Sequence, residues 1–199
     1  DFMEYCHQNA LPLDFVTRHF YTFDTPDEDG HYSYGALRDP DESLMELDRS
    51  RAIIDSFPEY RGLPMHITEF NTSYRPDSPV HDTTRNAAYV ARLLARLGEV
   101  NDSYSYWTFG DVFEEMGVPF TPFYGGFGLV ANGGIPKPTF WTFAFFKKLQ
   151  GDCLLRSKET VAVRRKDGSF AGAAWNLGQE TGGETMLRFT LPAQGEWCL

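Results

Sequence analysis

The sequence predicts an α/β fold with parallel strands, followed by an antiparallel β segment. Three observations carry this. A strand-like run, a polar loop and an apolar-periodic helix follow one another three times between Leu13 and Gly151. The loops after the strands are long and the turns after the helices short, as in βα units whose strand C-terminal ends carry the chemistry. From about Gly151 the hydrophobic period changes to two, with Lys166-Asp167-Gly168-Ser169 as a hairpin turn.

The elements follow in order. Residues 1–15 read like the end of a helix entered midway. Leu13 to Phe20 reads as the first strand, rich in Phe and Val. The next loop, to Pro40, is too rich in Asp, Gly and Pro for regular structure. From Asp41 a helix follows, with Leu44, Leu47, Ile53, Ile54 and Phe57 as its apolar positions and Pro58 as its stop. The second strand is "LPMHITEF". A second helix starts near Asp82 or Thr83, with Val90, Leu93, Leu94 and Leu97 at i, i+3, i+4 and i+7, and Gly98 where a C-terminal cap belongs. The third strand runs from Ser103 to Phe109. A Gly-rich aromatic loop leads to Pro138, which suits the first position of a helix running to Gln150. The expected division is therefore residues 1–150 and residues 151–199, the latter as the start of a β-sandwich.

Composition bounds the function. The chain has 199 residues, 42% hydrophobic and 16% aromatic, enough for a genuine core. A formal net charge of -10 repels phosphate backbones, so nucleic acid is not the expected partner. No run approaches the roughly 20 apolar residues of a membrane span. No signal peptide is visible, and a chain opening on Asp1 rather than Met is expected to have sequence upstream. Cys6, Cys153 and Cys198 are odd in number, widely spaced and without a C-x-x-C pair. They favour free thiols in a reducing, cytoplasmic compartment over a secreted one.

The segment "PMHITEFNTSY", residues 64–74, places one acid at the end of a strand. Strict alternation puts Ile67 and Glu69 on one face and His66 and Thr68 on the other, which argues against a His66–Glu69 metal pair. A buried lone carboxylate costs several kcal/mol unless it is paired or hydrogen-bonded. Asn71, Thr72, Ser73 and Tyr74 are local candidates. One reading pairs Glu69 with Arg75 and makes it a loop tie. The other places Glu69 in a pocket with His19 and Tyr21 from the first strand end, and with Trp107 and Glu115 from the third. Taken singly, His19 also suits a satisfied core histidine, Trp107 ordinary core, and Glu114 and Glu115 a solvated loop. A mouth of aromatic faces and carboxylates suits a sugar, whose C–H faces stack on rings and whose hydroxyls donate to acids.

The segments "LPMHITEFNTSYRPDSPVHDTTRNAAYVARLL", "SYSYWTFGDVFEEMGVP" and "FYGGFGLVANGGIPKPTFWTFAFF" closely resemble glycoside hydrolase family 39, the β-xylosidase group, over most of residues 5–150. The resemblance implies the C-terminal part of a (β/α)8 barrel, strands six to eight, with an appended antiparallel β-sandwich, and a retaining mechanism without cofactor or metal. It implies Glu69 as catalytic nucleophile, with His19, Tyr21, Trp107 and Glu115 as sugar contacts. Its substrate would be a small xylo-oligosaccharide. The family's acid/base glutamate follows an Asn, and no Asn-Glu pair occurs in these residues. This chain alone is therefore expected to be inactive, and its open strand edges to favour homo-oligomers. A non-catalytic carbohydrate-binding or scaffold remnant, and an iduronidase or arabinosidase specificity, are the alternatives.

Overall fold

The computed structural model describes residues 2–23, 37–112 and 117–178, together with Met186, Arg188 and Thr190. Helix α1 (Phe2–Gln8) precedes strand β1 (Val16–Tyr21), helix α2 (Pro40–Asp55) and strand β2 (Met65–Asn71). A 3-10 turn (Pro79–Asp82) leads into helix α3 (Thr84–Leu94) and strand β3 (Ser103–Tyr106). A short antiparallel ribbon, β4 (Val130–Ala131) and β5 (Ile135–Pro136), precedes helix α4 (Pro138–Phe146). Strands β6 (Asp152–Arg156), β7 (Thr160–Arg164) and β8 (Phe170–Ala174) follow. Among the described residues no helix is long and apolar enough to cross a membrane.

Strands β1, β2 and β3 form one parallel sheet in that order. The expected α/β class holds, with modest boundary changes. The first strand starts at Val16 rather than Leu13, where the Val16 N–H donates to the Pro64 carbonyl at 2.8 Å. The third ends at Tyr106 rather than Phe109, because the Thr108 N–H already turns to the Phe127 carbonyl. The last helix stops at Phe146 rather than Gln150.

Local chemistry explains the helices. The Asp39 carboxylate accepts the Asp41 N–H at 2.7 Å, Pro40 occupies the first position, and Asp41 and Glu42 face the helix-dipole positive end. Thr83 caps α3 through the Asn86 N–H. The apolar stripes then meet the sheet. Leu44, Leu47 and Ile54 of α2 and Val90, Leu93 and Leu94 of α3 share one buried cluster with Phe20, Met65, Ile67 and Phe70. Each such fully buried side chain contributes about 1.5–3 kcal/mol, so this layer is what fixes the strands.

The pairing of β1 with β2 slips by one residue. Arg18 lies opposite Ile67, but His19 lies opposite Glu69, and Thr68 has no partner. The expected alternation is therefore corrected. Ile67 and Phe70 both point to the helix layer, whereas Glu69 points to the opposite face with His19. His66, opposite Thr17, also lies on that face, so His66 and Glu69 are not on opposite sides as expected.

Strands β6, β7 and β8 form an antiparallel sheet, with Gly168 at φ 84° in the predicted hairpin turn. Val161 and Trp175 bury against Ala91 and Ala95 at the end of α3, with Phe146 of α4 beside them. The Trp175 indole N–H donates to the Lys158 carbonyl at 2.8 Å. Lys158 and Arg92 both pair with Asp41 of α2. Burial pushes the Asp41 carboxyl up, but hydrogen bonds from Lys158 and Arg92 outweigh it and hold it below its usual range.

Candidate active site

The C-terminal end of the parallel sheet collects the expected groups. The Tyr21 hydroxyl donates to Glu69 Oε1. His19 Nδ1 lies 3.4 Å from Glu69 Oε2. Glu69 keeps only 21% of its side chain exposed, while His19 keeps 61%. One carboxylate oxygen is thus held by a phenol and the other faces an imidazole at the solvent boundary.

The loop-tie reading does not hold. Arg75 pairs with Asp77 at 3.1 Å. The local polar residues also turn elsewhere. Thr72 Oγ1 donates to Asn86 Oδ1 at 2.6 Å, the Ser73 hydroxyl accepts the Arg75 N–H at 3.1 Å, and Tyr74 is exposed. The partners of Glu69 come from the neighbouring strand instead.

Trp107 follows β3 directly. Its N–H donates to the Phe70 carbonyl at 2.9 Å, and its peptide bond to Thr108 is cis. Tyr104 and Tyr106 lie opposite Ile67 and Phe70, so the alternate positions Ser103 and Ser105, and Trp107 by the same alternation, belong to the Glu69 face. Glu115 and its neighbour Glu114 lie outside the described residues. Among the described residues no group of three or more His, Cys, Asp or Glu side chains is arranged to hold a metal. His66 bonds Ser103 Oγ at 2.9 Å.

Behind the site lies a buried polar layer that the sequence did not reveal. Lys137 is fully buried, with its ammonium 2.6 Å from Asp82 Oδ1, 2.5 Å from Asp111 Oδ2 and 2.8 Å from the Gly126 carbonyl. The Gly125 and Gly128 N–H groups donate to Asp82 and Asp111 at 2.7 and 2.6 Å. The His81 Nδ1–H donates to the Gly125 carbonyl at 2.8 Å, and its Nε2 accepts the Ser73 N–H at 3.4 Å. Burial lowers its imidazole to about 4, opposed chiefly by the Gly125 carbonyl. Burial likewise lifts Asp111 above the usual carboxylate range, although Lys137 pulls the other way. The one available signal was Lys137 itself, set between Pro136 and Pro138 just before a Phe-rich helix.

A carboxylate at the C-terminal edge of a parallel α/β sheet, beside an imidazole and a phenol, suits a site that handles sugar hydroxyls. Residues 1–180 match the family described as Glycosyl hydrolases family 39, and the chain belongs to that family. It is 50% identical over 185 residues to a beta-xylosidase of Geobacillus stearothermophilus, covering 92% of this chain and 36% of that protein. It is 33% identical over 157 residues to a beta-xylosidase of Caldicellulosiruptor saccharolyticus, covering 75% of this chain and 30% of that one. The crystal structure of a monomeric beta-xylosidase from Caulobacter crescentus CB15 superposes with a TM-score of 0.78 at 34% identity, over 90% of this chain and 37% of that one. A family 39 enzyme from Xanthomonas axonopodis pv. citri gives 0.78 at 33% identity, over 90% of this chain and 36% of the other. The chain thus spans about a third of the length of these relatives.

Proposed function

We propose that this chain is the C-terminal part of a retaining β-xylosidase. Residues 1–150 supply strands six to eight of a (β/α)8 barrel, and residues 151–199 begin a β-sandwich. The carrying observation is the Glu69 carboxylate, held by Tyr21 and faced by His19 at the C-terminal end of a parallel sheet. The 50% identity to a beta-xylosidase supports the sugar assignment.

In this reading Glu69 attacks the anomeric carbon of a terminal xylosyl unit. The bond to the leaving oxygen breaks, and that oxygen takes a proton from a second carboxylic acid about 5–5.5 Å away, supplied by the remaining length of the enzyme. The covalent glycosyl ester on Glu69 is then hydrolysed by water that the same second group deprotonates. Tyr21 fixes the orientation of the nucleophile. His19, Trp107 and Glu115 position the sugar ring and its hydroxyls. The reaction runs on two carboxyl groups, with a small xylo-oligosaccharide as substrate and no cofactor.

The test is trapping. Incubation of the full-length enzyme with an activated aryl 2-deoxy-2-fluoro-β-xyloside attaches one fluorosugar to the peptide containing Glu69, and Glu69→Gln abolishes the attachment. A label on another residue overturns the assignment. Residues 1–199 alone turn over no aryl xyloside.

A further inference from the structure

We infer that Asn71 is a positioning residue that locks Trp107 against the strand carrying Glu69. This rests on the reading that Glu69 and Trp107 share one sugar site. The ladder between β2 and β3 ends with the Phe70–Tyr106 pair and the bond from the Trp107 N–H to Phe70. Past that rung the Asn71 side chain takes over. Its Nδ2 donates to the Trp107 carbonyl at 2.7 Å and to the Phe127 carbonyl at 3.3 Å. Its Oδ1 accepts the Thr72 N–H at 2.8 Å and the Tyr106 hydroxyl at 3.3 Å.

Both amide hydrogens and both lone-pair directions are therefore used, and Asn71 is fully buried. The orientation has no alternative, because two carbonyls face the nitrogen and two donors face the oxygen. Asn71 lies two residues beyond Glu69 on the same strand, so the amide ties the indole-bearing segment and the Gly-rich loop at Phe127 to the strand of the nucleophile. No other residue type satisfies this set in the same volume. Asp turns an acceptor toward two carbonyls, and Ala removes all four hydrogen bonds. A carboxylate and a ring that must share one substrate need such a tie, since a displacement of about 1 Å costs on the order of 10²-fold in rate.

The experiment compares wild type, Asn71→Asp and Tyr106→Phe in the full-length enzyme, with 5-fluorotryptophan incorporated. The Trp107 signal is assigned with Trp107→Phe. In Asn71→Asp the Trp107 resonance shifts or broadens while those of Trp141 and Trp175 stay in place. The rate constant kcat for an aryl β-xyloside falls about 10–100-fold, with KM changed less than about threefold. Tyr106→Phe, which removes one contact and keeps the ring, moves the same resonance less. It also keeps the inference testable if Asn71→Asp does not fold. An unmoved Trp107 signal in a folded variant overturns the inference. So does wild-type kcat and KM per folded molecule accompanied only by a lower melting temperature. If Glu69→Gln retains full hydrolysis, the nucleophile reading fails, and the fluorine signal still decides whether Asn71 holds Trp107.

Discussion

Tyr21 and Glu69 are joined by a hydrogen bond across the point where β1 and β2 slip by one residue, the phenol donating to Oε1. The slip and the bond belong together. Without the unpaired Thr68, Glu69 would share the helix-facing side with Ile67 and could not meet a side chain from the open face of β1. Hydrogen bonds to charged groups contribute about 1.5–3 kcal/mol, which corresponds to about 10–100-fold in rate. Tyr21→Phe in the full-length enzyme should lower kcat/KM for an aryl β-xyloside by that factor and lower the urea midpoint as well. Steady-state kinetics beside urea titration check both losses.

Lys137 carries the only ammonium between Asp82 and Asp111 among the described residues. Lys137→Met leaves two desolvated carboxylates facing each other. Removing one partner of a buried ion pair costs about 3–5 kcal/mol. Urea unfolding should show a loss of that size. Adding Asp111→Asn should recover part of it, because one uncompensated charge is then gone.

The His81 imidazole titrates at about 4 in the folded chain and near 6.5 when unfolded, chiefly because it is buried. Between these values the unfolded state takes up a proton that the folded state refuses. Stability is then fully present above about pH 6.5 and declines as pH falls toward 4, by up to about 3 kcal/mol. Asp82 and Lys137, which stand beside the ring, oppose each other in this shift. Urea midpoints measured from pH 7 to 4 should fall, and the slope should be shallower in His81→Gln.

Gly128 lies against Asp111, and a Cβ there would sit 2.5 Å from the Asp111 backbone nitrogen. That nitrogen is held by the Val130 carbonyl at 2.9 Å, so it does not yield cheaply. Gly128→Ala should destabilise by about 1–3 kcal/mol, the usual range for overpacking. Thermal denaturation of the purified variant measures it.

Local patterns were legible because their causes are local. Asp39, Pro40, Leu44 and Leu47 announce α2, and Thr83 with Val90, Leu93 and Leu94 announces α3. Glu69, His19 and Tyr21 were legible as a group because the ends of neighbouring parallel strands share one edge. Two things were not. Strict alternation cannot reveal a slipped register, since Met-His-Ile-Thr-Glu reads the same with or without an unpaired residue. The Asp82–Lys137–Asp111 triad joins residues far apart in sequence, and each alone looks like an ordinary surface charge. Among the described residues the thiols of Cys6 and Cys153 are free, and Cys198 lies outside them.

The unpaired Thr68 divides β2 into two stretches that answer to different demands. Below it, Met65 and Ile67 need only be greasy and well fitted, so aliphatic exchanges there change robustness and spare turnover. Above it, Glu69 and Asn71 answer to hydrogen-bond partners rather than to volume, while Phe70 returns to the apolar layer. Deleting a single codon between them would leave composition nearly untouched and yet rotate the Glu69 carboxylate into oil, so in this strand the count of residues matters as much as their kind.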